Sequence, residues 1–136
     1  MTAGYSGTPL PRKLGIKPGH RVLLLRAPEA FADQTLGELP DGVEVGTRAS
    51  GMADVIVAFH LRRAELARRM PALRKHMEPA AGLWIAWPKR ASKVETDLTG
   101  DVVRELALAN TLVDNKVCAI DETWSGLRLV IRLVDR

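Results

Sequence analysis

Two apolar periods divide this chain. Arg21-Val22-Leu23-Leu24-Leu25-Arg26, Ala53-Asp54-Val55-Ile56-Val57-Ala58-Phe59 and Leu83-Trp84-Ile85-Ala86-Trp87 are nearly continuous apolar runs. Parallel strands covered on both faces read this way, whereas a strand wet on one side alternates. Val43-Glu44-Val45 is a further brief strand after the turn Leu39-Pro40-Asp41-Gly42, and a short helix is predicted from Phe31 to Leu36 after the turn Ala27-Pro28-Glu29. From Leu61 the period changes: Leu66, Met70, Leu73 and Met77 lie at spacings of four, three and four, one helical stripe with Arg68 and Lys75 opposite it. Pro71 is expected to kink or restart that helix, and Glu78-Pro79-Ala80-Ala81-Gly82 to end it and feed the Trp84 strand. Thr99 offers an N-cap with Asp101 in the first turn, and Val102, Val103, Leu106, Leu108, Ala109 and Leu112 support a helix of about three turns. Lys116 to Ile120 and Leu127 to Leu133 are the last strands. The stretch between them, Asp121-Glu122-Thr123-Trp124-Ser125-Gly126, is too short for a crossover helix, so the pair is antiparallel, with Leu127, Leu129 and Ile131 facing the core. The fold class expected is a three-layer α/β sandwich: a Rossmann-like, mostly parallel sheet closed by a C-terminal antiparallel hairpin.

The length of 136 residues fits one α/β domain over residues 1–136. Residues 1–20 contain Gly4, Gly7, Gly15, Gly19, Pro9, Pro11 and Pro18, which predicts an extended arm, with Leu10, Leu14 and Ile16 available for burial. Aromatic content of 4% leaves aliphatic side chains to fill the core. The single cysteine, Cys118, lies in an apolar run and reads as a buried, inert thiol in a reducing compartment. The longest uninterrupted apolar runs are five residues, against the ~20 a membrane span needs. No secretory signal pattern opens the chain, so a soluble, cytoplasmic protein without a membrane partner is expected. The net charge of +4 rests on arginines dispersed among acids, and those of Leu61 to His76 flank an amphipathic stripe, so nucleic acid is not the indicated partner.

Three segments together resemble the core of class I methyltransferases. Asp54-Val55-Ile56-Val57 resembles their fourth strand, Leu73 to Trp87 with Glu78-Pro79-Ala80-Ala81-Gly82 their helix, turn and fifth strand, and Leu127 to Leu133 their reversed last strand. That resemblance implies a methyltransferase-like sheet. The family binds S-adenosylmethionine over a glycine-rich loop after the first strand, and the matching positions here are Ala27-Pro28-Glu29-Ala30-Phe31. Measurable S-adenosylmethionine binding is therefore not expected. The chain also resembles the bacterial domain of unknown function 3052 family through Ala3-Gly4-Tyr5-Ser6-Gly7-Thr8-Pro9-Leu10, Leu14-Gly15-Ile16-Lys17-Pro18-Gly19, Trp87-Pro88-Lys89 and Trp124-Ser125-Gly126-Leu127-Arg128-Leu129-Val130.

In a sheet parallel at its centre, strands ending at Leu25, Phe59, Trp87 and Ile120 share one carboxyl edge, where open α/β sheets keep their ligand crevices. Arg26, His60, Lys89, Ser92, Asp121, Glu122, Thr123, Trp124 and Ser125 gather there, and the candidate ligand-binding set is Trp87, Lys89, Arg90, Ser92, Lys93, Asp121, Glu122, Trp124 and Ser125. The Lys89 and Trp124 loops are expected to be neighbours. Lys89, Arg90 and Lys93 precede a helix whose free N–H groups favour an anion, and Trp87 and Trp124 either form a stacking surface or cover the core. Asp121 and Glu122 are adjacent on an extended chain and point apart; a salt bridge to Lys89 or Arg128 is the expected use. His20, His60 and His76 have no ligand at metal spacing, and Ser6 and Ser125 no nucleophile elbow. No metal, no cofactor and no catalytic residue is identified. The functional expectation is a non-catalytic domain binding a small anionic ligand or a protein partner at the carboxyl edge. The alternatives are a methyltransferase-like enzyme with a remodelled cofactor pocket and a nucleic-acid-associated factor.

Overall fold

The computed structural model describes residues 8–136. The expectations for Ala3 to Gly7, including Ser6, lie outside the described residues. Six strands form one sheet: β1 Arg21–Leu25, β2 Glu44–Gly46, β3 Ala53–Phe59, β4 Met77–Pro88, β5 Leu112–Ala119 and β6 Trp124–Ile131. Their order is β2-β1-β3-β4-β6-β5, parallel from β2 to β4, with β6 antiparallel to both β4 and β5. This is the mostly parallel Rossmann-like sheet with a C-terminal antiparallel hairpin that the apolar runs predict. The chain leaves β1 towards β2 and returns past it to β3, so strand order reverses between β1 and β3. That is the topological switch point.

The parity of each run sorts its side chains onto two faces. Leu23, Leu25, Ile56, Ala58, Leu83, Ile85, Leu127, Leu129 and Ile131 pack beneath two helices, α2 Arg63–Lys75 and α3 Gly100–Ala109, against Leu66, Met70, Leu73, Val103 and Leu106. Val22, Leu24, Val55, Val57, Phe59 and Trp84 face the other way, beneath Leu14, Ile16, Phe31 and Leu36. Among the described residues no long helix covers this second face. Its cover is a short helix α1, Leu10–Leu14, and a π-helical turn, Phe31–Leu36. The predicted extended arm thus contains one helical turn, ended by Gly15 at φ +81°, and it is held by the Trp84 indole Nε1–H, which donates to the buried Leu14 carbonyl at 3.0 Å. Among the described residues no helix is long and apolar enough to cross a membrane.

The structure corrects several element boundaries. Helix α2 runs unbroken through Pro71. Pro71 and Ala67, whose carbonyl loses its helical donor there, are both exposed, so water takes the freed acceptor and the interruption costs less than it would on the buried side. Glu78-Pro79-Ala80-Ala81 is not a turn but part of β4: the register jumps from Ala53↔Met77 to Val55↔Gly82, which leaves the segment bulging from the ladder. Leu112 opens β5 rather than closing α3, and Leu108 is 66% exposed. The Thr99 cap is as read, its hydroxyl accepting from the Val102 amide at 3.2 Å. Cys118 is half-buried, not fully buried, and burial raises its thiol pKa.

Candidate functional site at the carboxyl edge

Beyond the carboxyl ends of β1 and β3 the crevice is bridged by the chain's own side chains. Arg26 follows β1, His60 follows β3, and Glu65 lies in the first turn of α2. The Arg26 guanidinium meets one Glu65 oxygen at 3.1 Å, and the other Glu65 oxygen lies 2.9 Å from His60 Nδ1. The His60 side chain is fully buried and its Nε2 has no hydrogen-bond partner among the described residues. Burial pushes its pKa down, opposed by the hydrogen bond to Glu65, while the Glu65 carboxyl is held below its ordinary range first by that hydrogen bond and then by Arg26. An ionised Glu65 can only accept, so Nδ1 carries the imidazole proton and Nε2 presents a lone pair. The chemistry available is proton acceptance by an oriented, neutral base.

The backbone at this edge is strained where the side chains converge. Of the four non-glycine residues with positive φ among the described residues, three are here: Arg26 at +60°, Ala30 at +67° and Lys93 at +62°. Left-handed conformations of non-glycine residues cost of order 1–3 kcal/mol each and concentrate at functional sites. Arg26 and Ala30 bracket the loop after β1 where methyltransferases carry glycines, so this loop adopts left-handed geometry without them. Its exit is filled by Phe31, edge-on to Phe59 at 4.9 Å, which in turn meets Trp124 at 5.0 Å.

The Lys89 and Trp124 loops are adjacent, as expected: Trp87 pairs with Ser125, Pro88 with Trp124, and the Lys89 amide donates to the Thr123 carbonyl at 2.8 Å. They do not combine as expected. Paired positions share a face, so Trp87 lies with α3 in one core and Trp124 against Phe59 in the other. The two indoles therefore form no common stacking surface. Asp121 accepts from the amides of Thr123 and Trp124, each at 2.8 Å, and shapes its own turn. Among the described residues no ion pair joins Asp121 or Glu122 to Lys89 or Arg128; Arg128 lies towards the opposite edge and bonds Asn115. Ser92 donates to the Lys89 carbonyl and accepts from Val94, again a turn. Trp87, Arg90 and Lys93 come together with Thr96, Leu98 and Thr99 around a cavity of about 380 Å³. Backbone Asp97 N–H and the Thr96 hydroxyl both bond the carbonyl of Leu61, the residue after His60, which ties this cavity's rim to the Arg26–Glu65–His60 relay. Among the described residues no group of three His, Cys, Asp or Glu side chains is placed to hold a metal ion.

The sequence pattern alone does not reveal this relay. Its one legible sign is a histidine directly after a buried strand with a glutamate five positions on, inside the next helix.

No family model matches the chain, and no curated protein sequence does. Solved structures do. A magnesium protoporphyrin IX methyltransferase from Synechocystis PCC 6803 with bound SAM superposes with a TM-score of 0.58 at 10% identity over 90% of this chain and 74% of that one. A ribosomal protein L11 methylase from Lactobacillus delbrueckii subsp. bulgaricus gives 0.58 at 13% identity over 90% and 75%. A protein described as a pericyclic reaction enzyme gives 0.54 at 14% identity, over 90% of this chain but 39% of its own. These likenesses establish a methyltransferase-like Rossmann fold. They also correct the expectation of a non-catalytic domain that binds a small anion or a protein at this edge: the matched structures include several methyltransferases, and the methyltransferase-like alternative is the one they back.

The residues present do not make the family's S-adenosylmethionine site. The loop after β1 has side chains at every position, with a buried Phe31 at its exit. Strand β2 ends at Gly46 and is followed by Thr47-Arg48, without the carboxylate that nucleotide-binding α/β sheets place there for ribose. The switch-point crevice is spanned by Arg26 and Glu65.

A pH dependence follows from His60. Its pKa is lower in the folded chain than in the unfolded one, so as pH falls the unfolded chain takes up the proton first. The stability His60 contributes is complete above the ordinary imidazole value near 6.5 and is lost as pH falls from there towards the folded value. Glu65, whose folded pKa is also lowered, adds a loss of the same sign below the carboxyl range. Denaturant unfolding from pH 8 to 5 should show stability falling on the acid side and that slope flattened in His60→Gln; an unchanged slope in the variant would exclude His60 as its source.

Proposed function

We propose that the chain is a methyltransferase-like enzyme with a remodelled cofactor pocket, in which the crevice between β1 and β3 works by proton transfer at His60. The observation that carries this reading is the fully buried His60, oriented through Nδ1 by Glu65 and left with an Nε2 that no described residue partners. Arg26 keeps Glu65 ionised and in place. Structural histidines normally satisfy both ring nitrogens, and a buried acceptor without a partner costs roughly 1–3 kcal/mol, which a site retains when the acceptor has a use. The cavity lined by Trp87, Arg90, Lys93, Thr96 and Thr99 is tied through the Leu61 carbonyl to the residue after His60 and has the size of a small-substrate site. Fold alone does not choose a reaction, and no step is assigned here to S-adenosylmethionine.

On the same footing we propose kinship with the domain of unknown function 3052 family. Its motifs have physical work in this chain. Trp87-Pro88-Lys89 and Trp124-Ser125-Gly126 are paired neighbours, and a Cβ on Gly126 would fall 2.9 Å from Ile120 and 3.1 Å from Trp84.

Calorimetric titration with S-adenosylmethionine and S-adenosylhomocysteine, with the His60 and Trp87 ring resonances followed by NMR, tests the reading. The expected result is no dissociation constant in the micromolar range for either compound. Compounds from a small-metabolite panel that enter the cavity should shift His60 and Trp87 together. Micromolar S-adenosylmethionine binding with shifts at Arg26 to Phe31 would show that the pocket is not remodelled. Panel compounds that bind yet never move His60 would remove the proton-transfer role.

A further inference from the structure

At the opposite, amino edge of the sheet lies a second cavity, of about 430 Å³, which is independent of the His60 site. Lys13 and Lys17 reach it from the N-terminal segment, Lys116 from β5 and Arg128 from β6, while the carboxylates lining it are Asp54 and Glu78. Four cations against two acids leave an excess of two positive charges. Asp54 is further committed, since its carboxylate accepts the Arg21 amide at 2.8 Å and thereby fixes the start of β1.

Arg128 is the unusual member. Its guanidinium lies over Gly82, where a Cβ would fall 2.5 Å from Nε and 2.9 Å from Cζ, so the strand beneath has to be glycine for this arginine to occupy its place. The group is half-buried and burial lowers its pKa. Among the described residues no carboxylate pairs with it; its partner is the Asn115 side-chain oxygen at 3.3 Å. Arginines drawn out of water are ordinarily paired. A planar fork of donors held at the wall of a cavity with surplus positive charge is what recognition of a doubly charged oxyanion requires.

We infer that the amino-edge cavity binds a phosphate dianion, held by Arg128 with Lys116, Lys13 and Lys17. The excess of two charges matches a phosphate monoester or inorganic phosphate and exceeds what a single carboxylate would neutralise. The cavity volume admits a phosphate together with a small attached group.

Calorimetric titration of the whole chain with inorganic phosphate and with adenosine 5′-monophosphate, at low and moderate salt, tests this. Saturable binding is expected, with a dissociation constant on the order of 0.1–1 mM that weakens as salt rises. Arg128→Gln and Lys116→Gln should each weaken it about tenfold, the value of one charge-assisted hydrogen bond. Gly82→Ala should weaken it by displacing the guanidinium without removing its charge, and Lys75→Gln on the exposed face of α2 should leave it unchanged. Thermal melts establish that each variant is folded, and Lys116 is exposed enough that its variant serves if Arg128→Gln is not. Equal affinity for the two ligands would assign the site to phosphate itself; tighter nucleotide binding would assign it to a phosphate borne on a larger molecule. Absence of saturation up to about 20 mM for both, well past the expected range, would overturn the inference, as would binding that Lys116→Gln and Gly82→Ala leave unaltered.

Discussion

Replacing Trp84 by Ala is expected to lower the unfolding free energy by about 3–5 kcal/mol, the range for deleting a large buried aromatic side chain. Trp84 is fully buried at the centre of β4, on the face that, among the described residues, no long helix covers. Its ring packs within the cluster of Leu14, Ile16, Phe31 and Ile120, and its N–H holds the Leu14 carbonyl. One residue therefore supplies both apolar contact and a polar tie to the segment that stands in for a helical layer. Trp84→Phe separates the two contributions. It keeps most of the apolar volume but leaves the Leu14 carbonyl unsatisfied, a cost of roughly 1–3 kcal/mol. Chemical denaturation checks both values, and a loss below about 0.5 kcal/mol for Trp84→Ala, the level of ordinary surface changes, would mean that the N-terminal segment does not cover β4.

How much of this molecule was legible depends on which physical signal each feature leaves in the chain. The central strands were readable because burial on both faces demands continuous apolar runs, and β3 has the limits Ala53–Phe59 that its run predicts. Shared parity then placed Leu23 and Leu25 under the helices and Val22 and Leu24 under the arm. Boundaries set by tertiary context were not readable. Pro71 stays inside α2 because its defect faces water, and Glu78 to Ala81 bulge from a ladder whose register no local pattern shows.

The edge of the sheet was legible as a place and illegible as a site. The switch from apolar strand to cationic loop at Trp87-Pro88-Lys89 marks the carboxyl end, and the two loops meet there. Which side chains cooperate was decided by hairpin register, which puts Trp87 and Trp124 on opposite faces, and by the convergence of Arg26, His60 and Glu65 from three elements. An isolated histidine looks the same in sequence whether it is solvated, as a helix-end residue can be, or sealed against a glutamate. That the loop after β1 carries no glycine is legible in the sequence, but the left-handed φ of Arg26 and Ala30 is a property of the folded backbone alone.

Leu129→Ala is expected to cost about 2–5 kcal/mol, whereas Leu108→Ala should change stability by less than about 0.5 kcal/mol. Both leucines sit in apolar-rich segments that predict a core position. In β6, Leu129 pairs with Leu83 of the central strand β4 on one side and Asp114 of β5 on the other, and it is fully buried beneath the helices. In α3, whose buried positions are Val103, Leu106 and Ala107, Leu108 falls on the outer face and is 66% exposed. Removing its side chain takes little surface out of contact and even favours helix formation slightly. The pair distinguishes the observed register from its alternatives, because slipping β6 by one residue would turn Leu129 outward and put Arg128 and Val130 in its place. Similar denaturation midpoints for the two variants would refute that register, and with it the pairing of Pro88 with Trp124 that brings the carboxyl-edge loops together.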